Sequence, residues 1–181
     1  MLVVLGGISG TGRKALAREV AERLGAHYYD IDAHRMTLYE RHEGAIRERK
    51  QPVRTEELRL GMLKRVLDDF KLVSKMYPDT VVENNFHHAK PRGYFLAGAA
   101  EYFEPVVFVW VDVPDQEASG RFERMYERDA TKVERAMRRR QRMKDRLEPF
   151  PPRTIVFVND LPAAPAAERL CGLLRHSYPH I

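Results

Sequence analysis

Leu2-Val3-Val4-Leu5-Gly6-Gly7-Ile8-Ser9-Gly10-Thr11-Gly12-Arg13-Lys14-Ala15-Leu16 decides how the remainder of the chain reads. A short run of apolar β-formers ends in a glycine-rich turn, and the turn opens into a helix-compatible segment. That is the order a phosphate-cradling loop needs. The strand fixes its base, the glycines let backbone N–H groups come close to an anion, and the helix N-terminus adds partial positive charge. The alternative is an ordinary strand–turn–helix junction whose glycines serve only the turn.

The common phosphate-loop pattern is Gly, four variable residues, Gly, Lys, then Ser or Thr. Gly7 and Gly12 occupy the two glycine positions, while Arg13 replaces the lysine and Lys14 the hydroxyl residue. Arg13 still brings charge to phosphate, in a planar fork. Lys14 cannot coordinate Mg²⁺ as a hydroxyl does, so a metal would need carboxylates or waters from elsewhere. The phosphate-binding candidates are Gly7, Ile8, Ser9, Gly10, Thr11, Gly12, Arg13 and Lys14.

Beyond the loop, apolar residues at Leu16, Ala17, Val20, Ala21 and Leu24 repeat at helical spacing, and Gly25 stops the helix. Ala26–Asp32 then reads as a second strand, with Asp30 and Asp32 on one face. Two carboxylates so placed repel unless a cation or a hydroxyl donor lies between them. Beside a phosphate loop these would be Mg²⁺ and an acceptor hydroxyl, which makes Asp30 a metal candidate and Asp32 the acceptor-facing group. The other reading is that one aspartate caps the segment that follows. His34 to Gln51 is charged and weakly helical, placing Arg35, and with it Arg41, Arg47 and Arg49, where an anionic acceptor would lie. Thr55 opens a long helix carried by Leu58, Met62, Leu63, Val66, Leu67, Phe70 and Val73.

Thr80–Asn85 is the third strand. Glu83 at its polar end is the candidate to hold a metal-bound water, and Asn85 a positioning group for the acceptor. His87 and His88 are loop histidines, because adjacent residues cannot pair on one helix face. Arg92 follows in a Pro–Gly loop as a possible substrate contact, and Ala97–Tyr102 forms a short helical turn. Val106–Val113 is apolar throughout, as a strand covered on both faces must be. A helix begins at Pro114-Asp115, with Asp115 as its N-cap, and sets Arg121, Arg124 and Arg128 on one side. A second basic helix follows Thr131, where Thr131 and Glu134 fit a capping box. With few apolar anchors it reads as a movable lid of about residues 120–149. Thr154–Val158 is the fifth strand, Asn159-Asp160 its turn, and a last amphipathic helix carries Ala166, Leu170, Leu173 and Leu174.

Composition bounds the reading. The 181 residues suit one domain, and 31 basic against 26 acidic residues give a net charge of +5, compatible with a phosphorylated small molecule or a nucleic acid. Cys171 is the only cysteine, which excludes an internal disulfide and fits a reducing cytoplasm; it reads as a core filler. No signal peptide or membrane span is visible, and the oligomeric state is not encoded legibly.

With these residues set out, the chain resembles the P-loop kinases of the nucleoside-monophosphate-kinase-like superfamily. It looks most like the small hydroxyl kinases, such as shikimate and gluconate kinases, and the polynucleotide-kinase-like predicted kinases. The segments that carry the likeness are Gly7–Arg13, Asp30-Ile31-Asp32, Val81–Asn85 and the arginine-rich stretch to Pro152. The resemblance implies a three-layer α/β domain over 1–181 with a parallel sheet of order 2-3-1-4-5, an acceptor-side segment over about 34–76, and a lid between strands four and five. It implies ATP phosphates on Gly7 to Arg13, a general base or orienting carboxylate at Asp32, and lid charge at Arg124 and Arg128 beside Arg13. Adenine would lie near Arg124 and Asn159. The expected activity is transfer of the γ-phosphoryl group of ATP, with Mg²⁺, to a small-molecule hydroxyl. A polynucleotide or nucleotide hydroxyl is the second acceptor class. A module that binds nucleotide without turnover is the third reading, because Arg13-Lys14 replace the usual Lys-Ser/Thr.

Overall fold

The computed structural model describes residues 1–33 and 56–179. Arg35, Arg41, Arg47 and Arg49 lie outside the described residues. In chain order the first half comprises β1 (Leu2–Gly6), α1 (Arg13–Leu24), β2 (His27–Tyr29), α2 (Glu56–Met76) and β3 (Thr80–Asn84). The second half comprises α3 (Ala89–Ala99), β4 (Val106–Asp112), α4 (Asp115–Met125), α5 (Ala130–Lys144), β5 (Ile155–Val158) and α6 (Ala163–Ser177).

The five strands form one parallel sheet in the order β2-β3-β1-β4-β5, the order that the resemblance implies. β1 is central because every one of its residues is buried and so needs cover on both faces. Side chains alternate along it. Leu2 and Val4 enter a layer with Phe70 of α2, Phe95 of α3 and Phe108 and Trp110 of β4. Val3 and Leu5 enter the other, with Leu16 and Val20 of α1 and Leu170, Cys171 and Leu174 of α6. Helices thus cover both faces, and the loops after β1 and β3 emerge together at the carboxyl edge, where such sheets bind ligands.

Several local expectations change. β2 stops at Tyr29, so Asp30 and Asp32 do not alternate along a strand. The Asp30 carboxylate instead accepts the Asp32 backbone N–H at 2.9 Å and turns the chain into the helical residues 31–33. A short polar side chain here outcompetes the strand ladder. The expected Pro–Gly loop around Arg92 is the first half of α3; Pro91 fits a first turn, where its missing N–H has no intrahelical partner to lose. Asp115 is not a cap: Pro114 takes that position. The capping box at Thr131 also gives way, to Asp129, whose carboxylate accepts from the Lys132 N–H at 3.1 Å. Finally, α5 is not loosely held. Ala136, Arg140 and Met143 bury one stripe of it, and Met143 joins the aromatic layer. Among the described residues no helix is long and apolar enough to cross a membrane.

Candidate nucleotide site

The turn between β1 and α1 is held by its carbonyls. Arg13 bends back so that Nη1 donates to Gly7 O at 2.7 Å and to Ile8 O at 3.2 Å. Arg140 of α5 donates to Ser9 O at 2.8 Å. Thr11 O accepts from Arg121 Nη1 at 2.8 Å and from Asn159 Nδ2 at 2.7 Å. Four loop carbonyls are therefore held by donors from four places: α1, α4, α5 and the turn after β5. Among the described residues no acceptor takes the N–H of Ser9, Gly10, Gly12, Arg13 or Lys14. A peptide unit points its N–H opposite to its carbonyl, so with these carbonyls held by side chains the unclaimed amides are left to form a nest for an anion. Two glycines permit this shape, Gly10 at φ +86 and Gly12 at φ +71, conformations that side chains rarely adopt. Gly12 also stands at the N-cap of α1, adding the helix terminus to the same anion site. The residues present fit the phosphate groups of a nucleotide.

The Thr11 hydroxyl donates to Ile8 O at 3.0 Å, and the Ser9 hydroxyl donates to Met143 Sδ at 3.5 Å. Gly7 N–H donates to Asn85 O, so Asn85 fastens the base of the loop by its backbone, while its own N–H goes to Asn84 Oδ1.

Two ion-pair groups flank the loop. Arg13 Nε lies 2.7 Å from Oε2 of Glu83, whose side chain is only 4 % exposed at the end of β3. Lys14 sits between the two aspartates, with Nζ 3.2 Å from Asp30 Oδ2 and 3.6 Å from Asp32 Oδ2. Arg18 approaches Asp30 as well, at 3.9 Å. The cation that the paired carboxylates require is thus supplied by the chain itself.

The lid arginines divide in a way that helical spacing does not show. Arg124 is 71 % exposed and among the described residues reaches only Glu117, at 3.4 Å. Arg128 is exposed in the turn after α4, at φ +63. Arg121 is the member of that face that reaches the loop, and it also donates to Asn159 O at 2.6 Å and to Glu117 at 3.0 Å. Arg140, 1 % exposed, donates further to Val113 O at 2.6 Å and to Asp115 at 2.8 Å. Hydrogen bonds from Lys144 and then from Arg140 hold the Asp115 carboxyl below the usual carboxylate range. The sequence signal for Arg121 was present, since it shares a stripe with Arg124 and Arg128, but the stripe does not say which member turns inward. Asn159 is buried beside the loop, and its Oδ1 has no partner among the described residues.

Arg92 faces the interior. It is 2 % exposed, donates to Phe86 O at 2.9 Å and to the carbonyls of Glu148 and Pro149, and lies against the Phe108 and Phe150 rings. Its donors fasten the end of the lid segment to α3 and do not open toward a cleft. Nearby, the His87 ring lies tilted against His88, with ring centroids 4.1 Å apart. Burial, followed by the positive charges of His88, Arg59 and Arg146, brings the His87 pKa from 6.5 down to about 4. The unfolded chain therefore takes up this proton at higher pH than the folded one, and stability falls as pH drops from 6.5 toward 4. Because the ring is half open to solvent, the expected loss between about pH 7 and about pH 5 is only about 1 kcal/mol. Urea midpoints at those two pH values should converge in His87→Gln; an unchanged pH slope would contradict the assignment.

A family model described as AAA domain matches residues 2–150. A search of curated proteins finds no match to the chain. Among solved structures, a sugar kinase from Janibacter sp. is similar with a TM-score of 0.67 at 23 % identity, covering 96 % of this chain and 93 % of its own. The APS kinase of Mycobacterium tuberculosis, in complex with AMPPNP and APS, gives 0.65 at 19 %, covering 96 % of each chain. A gluconokinase from Sinorhizobium meliloti gives 0.62 at 18 %, covering 97 % of this chain and 96 % of its own.

Proposed function

The chain belongs to the AAA domain family, and from that membership we propose that it is an ATP-dependent phosphotransferase acting on a hydroxyl of a small molecule. One observation carries the reading: a loop whose carbonyls are held by side-chain donors and whose Ser9, Gly10, Gly12, Arg13 and Lys14 amides meet no acceptor among the described residues, beside the Asp32 carboxylate. The kinase names borne by structures of the same fold support it.

In this reading Gly7 to Lys14 hold the phosphates of ATP, and Asn159 with Arg124 lies toward the base. The acceptor hydroxyl stands at Asp32. Its oxygen forms a bond to the γ-phosphorus as the bond to the β–γ bridging oxygen breaks, ADP leaves, and the hydroxyl proton passes to Asp32 or to water. Positioning and charge dominate such transfers, so Asp32 need not be a strong base. Arg124 and Arg128 contribute lid charge, and Arg35 remains a candidate for the acceptor side. Mg²⁺, expected on Asp30 and Glu83, does not fit these residues as they stand. Lys14 occupies the space between the aspartates, Arg13 holds Glu83, and position 14 offers no hydroxyl.

The engagement of Arg13 by Glu83, Gly7 and Ile8 favours a second reading, a module that binds nucleotide without turning it over. ADP release measured on a panel of sugars, sugar acids, polyols and nucleosides separates the two. The expected result is acceptor-stimulated release, lowered about 100-fold in Asp32→Asn with ATP affinity retained. Silence on the whole panel, or an undiminished variant, would overturn the phosphotransferase.

A further inference from the structure

We infer that this loop binds a nucleoside triphosphate without a divalent cation, the Lys14 ammonium supplying the countercharge. The inference rests on the proposed nucleotide site and deepens it.

A hard divalent cation at a triphosphate needs oxygen ligands, and a phosphate loop ordinarily contributes a hydroxyl while nearby carboxylates hold the metal or its waters. Among the described residues, the donors at positions 11, 14, 30, 32 and 83 are each occupied otherwise. Position 14 carries an ammonium. The Thr11 hydroxyl is buried and turned to Ile8 O. Glu83 is closed off by Arg13 at 2.7 Å. Asp30 takes the Asp32 backbone N–H as well as Lys14, and Asp32 takes Lys14 at 3.6 Å. Among the described residues no group of three or more His, Cys, Asp or Glu side chains is placed to hold a metal ion.

A divalent cation entering between Asp30 and Asp32 would have to expel Lys14 against like-charge repulsion. The ammonium, by contrast, is already there. Its side chain is 42 % exposed on a four-carbon stem and carries three donors, so phosphate oxygens can join the carboxylates around it. Arg13 adds a second cation to the same loop, paired with Glu83 at 2.7 Å. The ligand form that matches this charge arrangement is the metal-free triphosphate.

The test is calorimetric titration of the full chain with ATP, once in excess EDTA and once in MgCl₂. Affinities within tenfold of each other, or tighter in EDTA, are expected; binding more than tenfold tighter with Mg²⁺ overturns the inference while leaving the nucleotide site intact. Lys14→Ser restores a hydroxyl and releases both aspartates. It should bind ATP at least tenfold more weakly in EDTA and recover with Mg²⁺. Lys14→Arg should keep metal-independent binding. A Lys14→Ser protein that is folded by circular dichroism and binds ATP in EDTA as the parent does would remove Lys14 from the account. No heat with ATP in either buffer, for the parent chain, would end the nucleotide reading itself and this inference with it.

Discussion

Arg140→Met is expected to lower the unfolding free energy by about 2–4 kcal/mol, although Arg140 lies on a strongly basic helix. The magnitude follows from what is left behind. Two bonds end on the carbonyls of Ser9 and Val113, at 2.8 and 2.6 Å, and a methionine in the same volume offers neither a donor. Each buried acceptor stranded this way costs about 1–3 kcal/mol. The ion pair adds little, because Asp115 is half exposed and keeps Lys144 at 2.6 Å. Arg140→Lys should recover only part of the loss, since one ammonium cannot reach acceptors lying in three directions. Urea unfolding of the three proteins checks this; a midpoint for Arg140→Met equal to that of the parent would show that Arg140 is not what fastens α5 to the loop. The same change frees Ser9 O, so ATP affinity should fall together with stability.

Gly10→Ala should weaken ATP binding by at least about 100-fold, a far larger effect on the ligand than on the fold. Gly10 sits at φ +86, and a Cβ there would lie 2.9 Å from Phe122 Cζ and 3.2 Å from Ala118 Cβ. Phe122 is buried on α4 and cannot swing out, so the backbone of the loop must shift instead. The strain costs about 1–3 kcal/mol of stability. Loss of alignment at two amides, each worth about 1.5–3 kcal/mol to a charged acceptor, gives the larger binding loss. Gly25→Ala is the control. It too has a positive φ, +62, but its Cβ would meet nothing within 4 Å, and it lies at the far end of α1. It should lose about 1 kcal/mol of stability and no affinity. Calorimetry on both variants decides the point: a Gly10→Ala protein that binds ATP like the parent would mean that the loop amides are not the binding groups.

These effects show where reading the chain succeeds and where it stops. Strand β1, the glycine turn and α1 were legible because each is specified locally, by an apolar run, by glycines and by a helical repeat. Ion pairing was harder. Asp30 and Asp32 were identified as paired carboxylates in need of a cation, yet Lys14, sixteen residues before Asp30, is their partner. The capping positions were missed for a similar reason. Asp115 has the composition of a cap, but arginine and lysine donors on a different helix claim its carboxylate.

The arginines mark the division most clearly. Arg121, Arg124 and Arg128 are equivalent in the linear pattern, and Arg138, Arg139 and Arg140 are consecutive. Only the docking of α4 and α5 against the loop separates the two that bind carbonyls from those left in solvent. By itself, then, the sequence determined the order of elements, the double cover of the sheet and the position of the phosphate loop, because periodicity and backbone freedom are properties of neighbours along the chain. Which cation answers which oxygen was decided only by tertiary structure, because those contacts join residues as many as 131 positions apart, and nothing local encodes the distance between them.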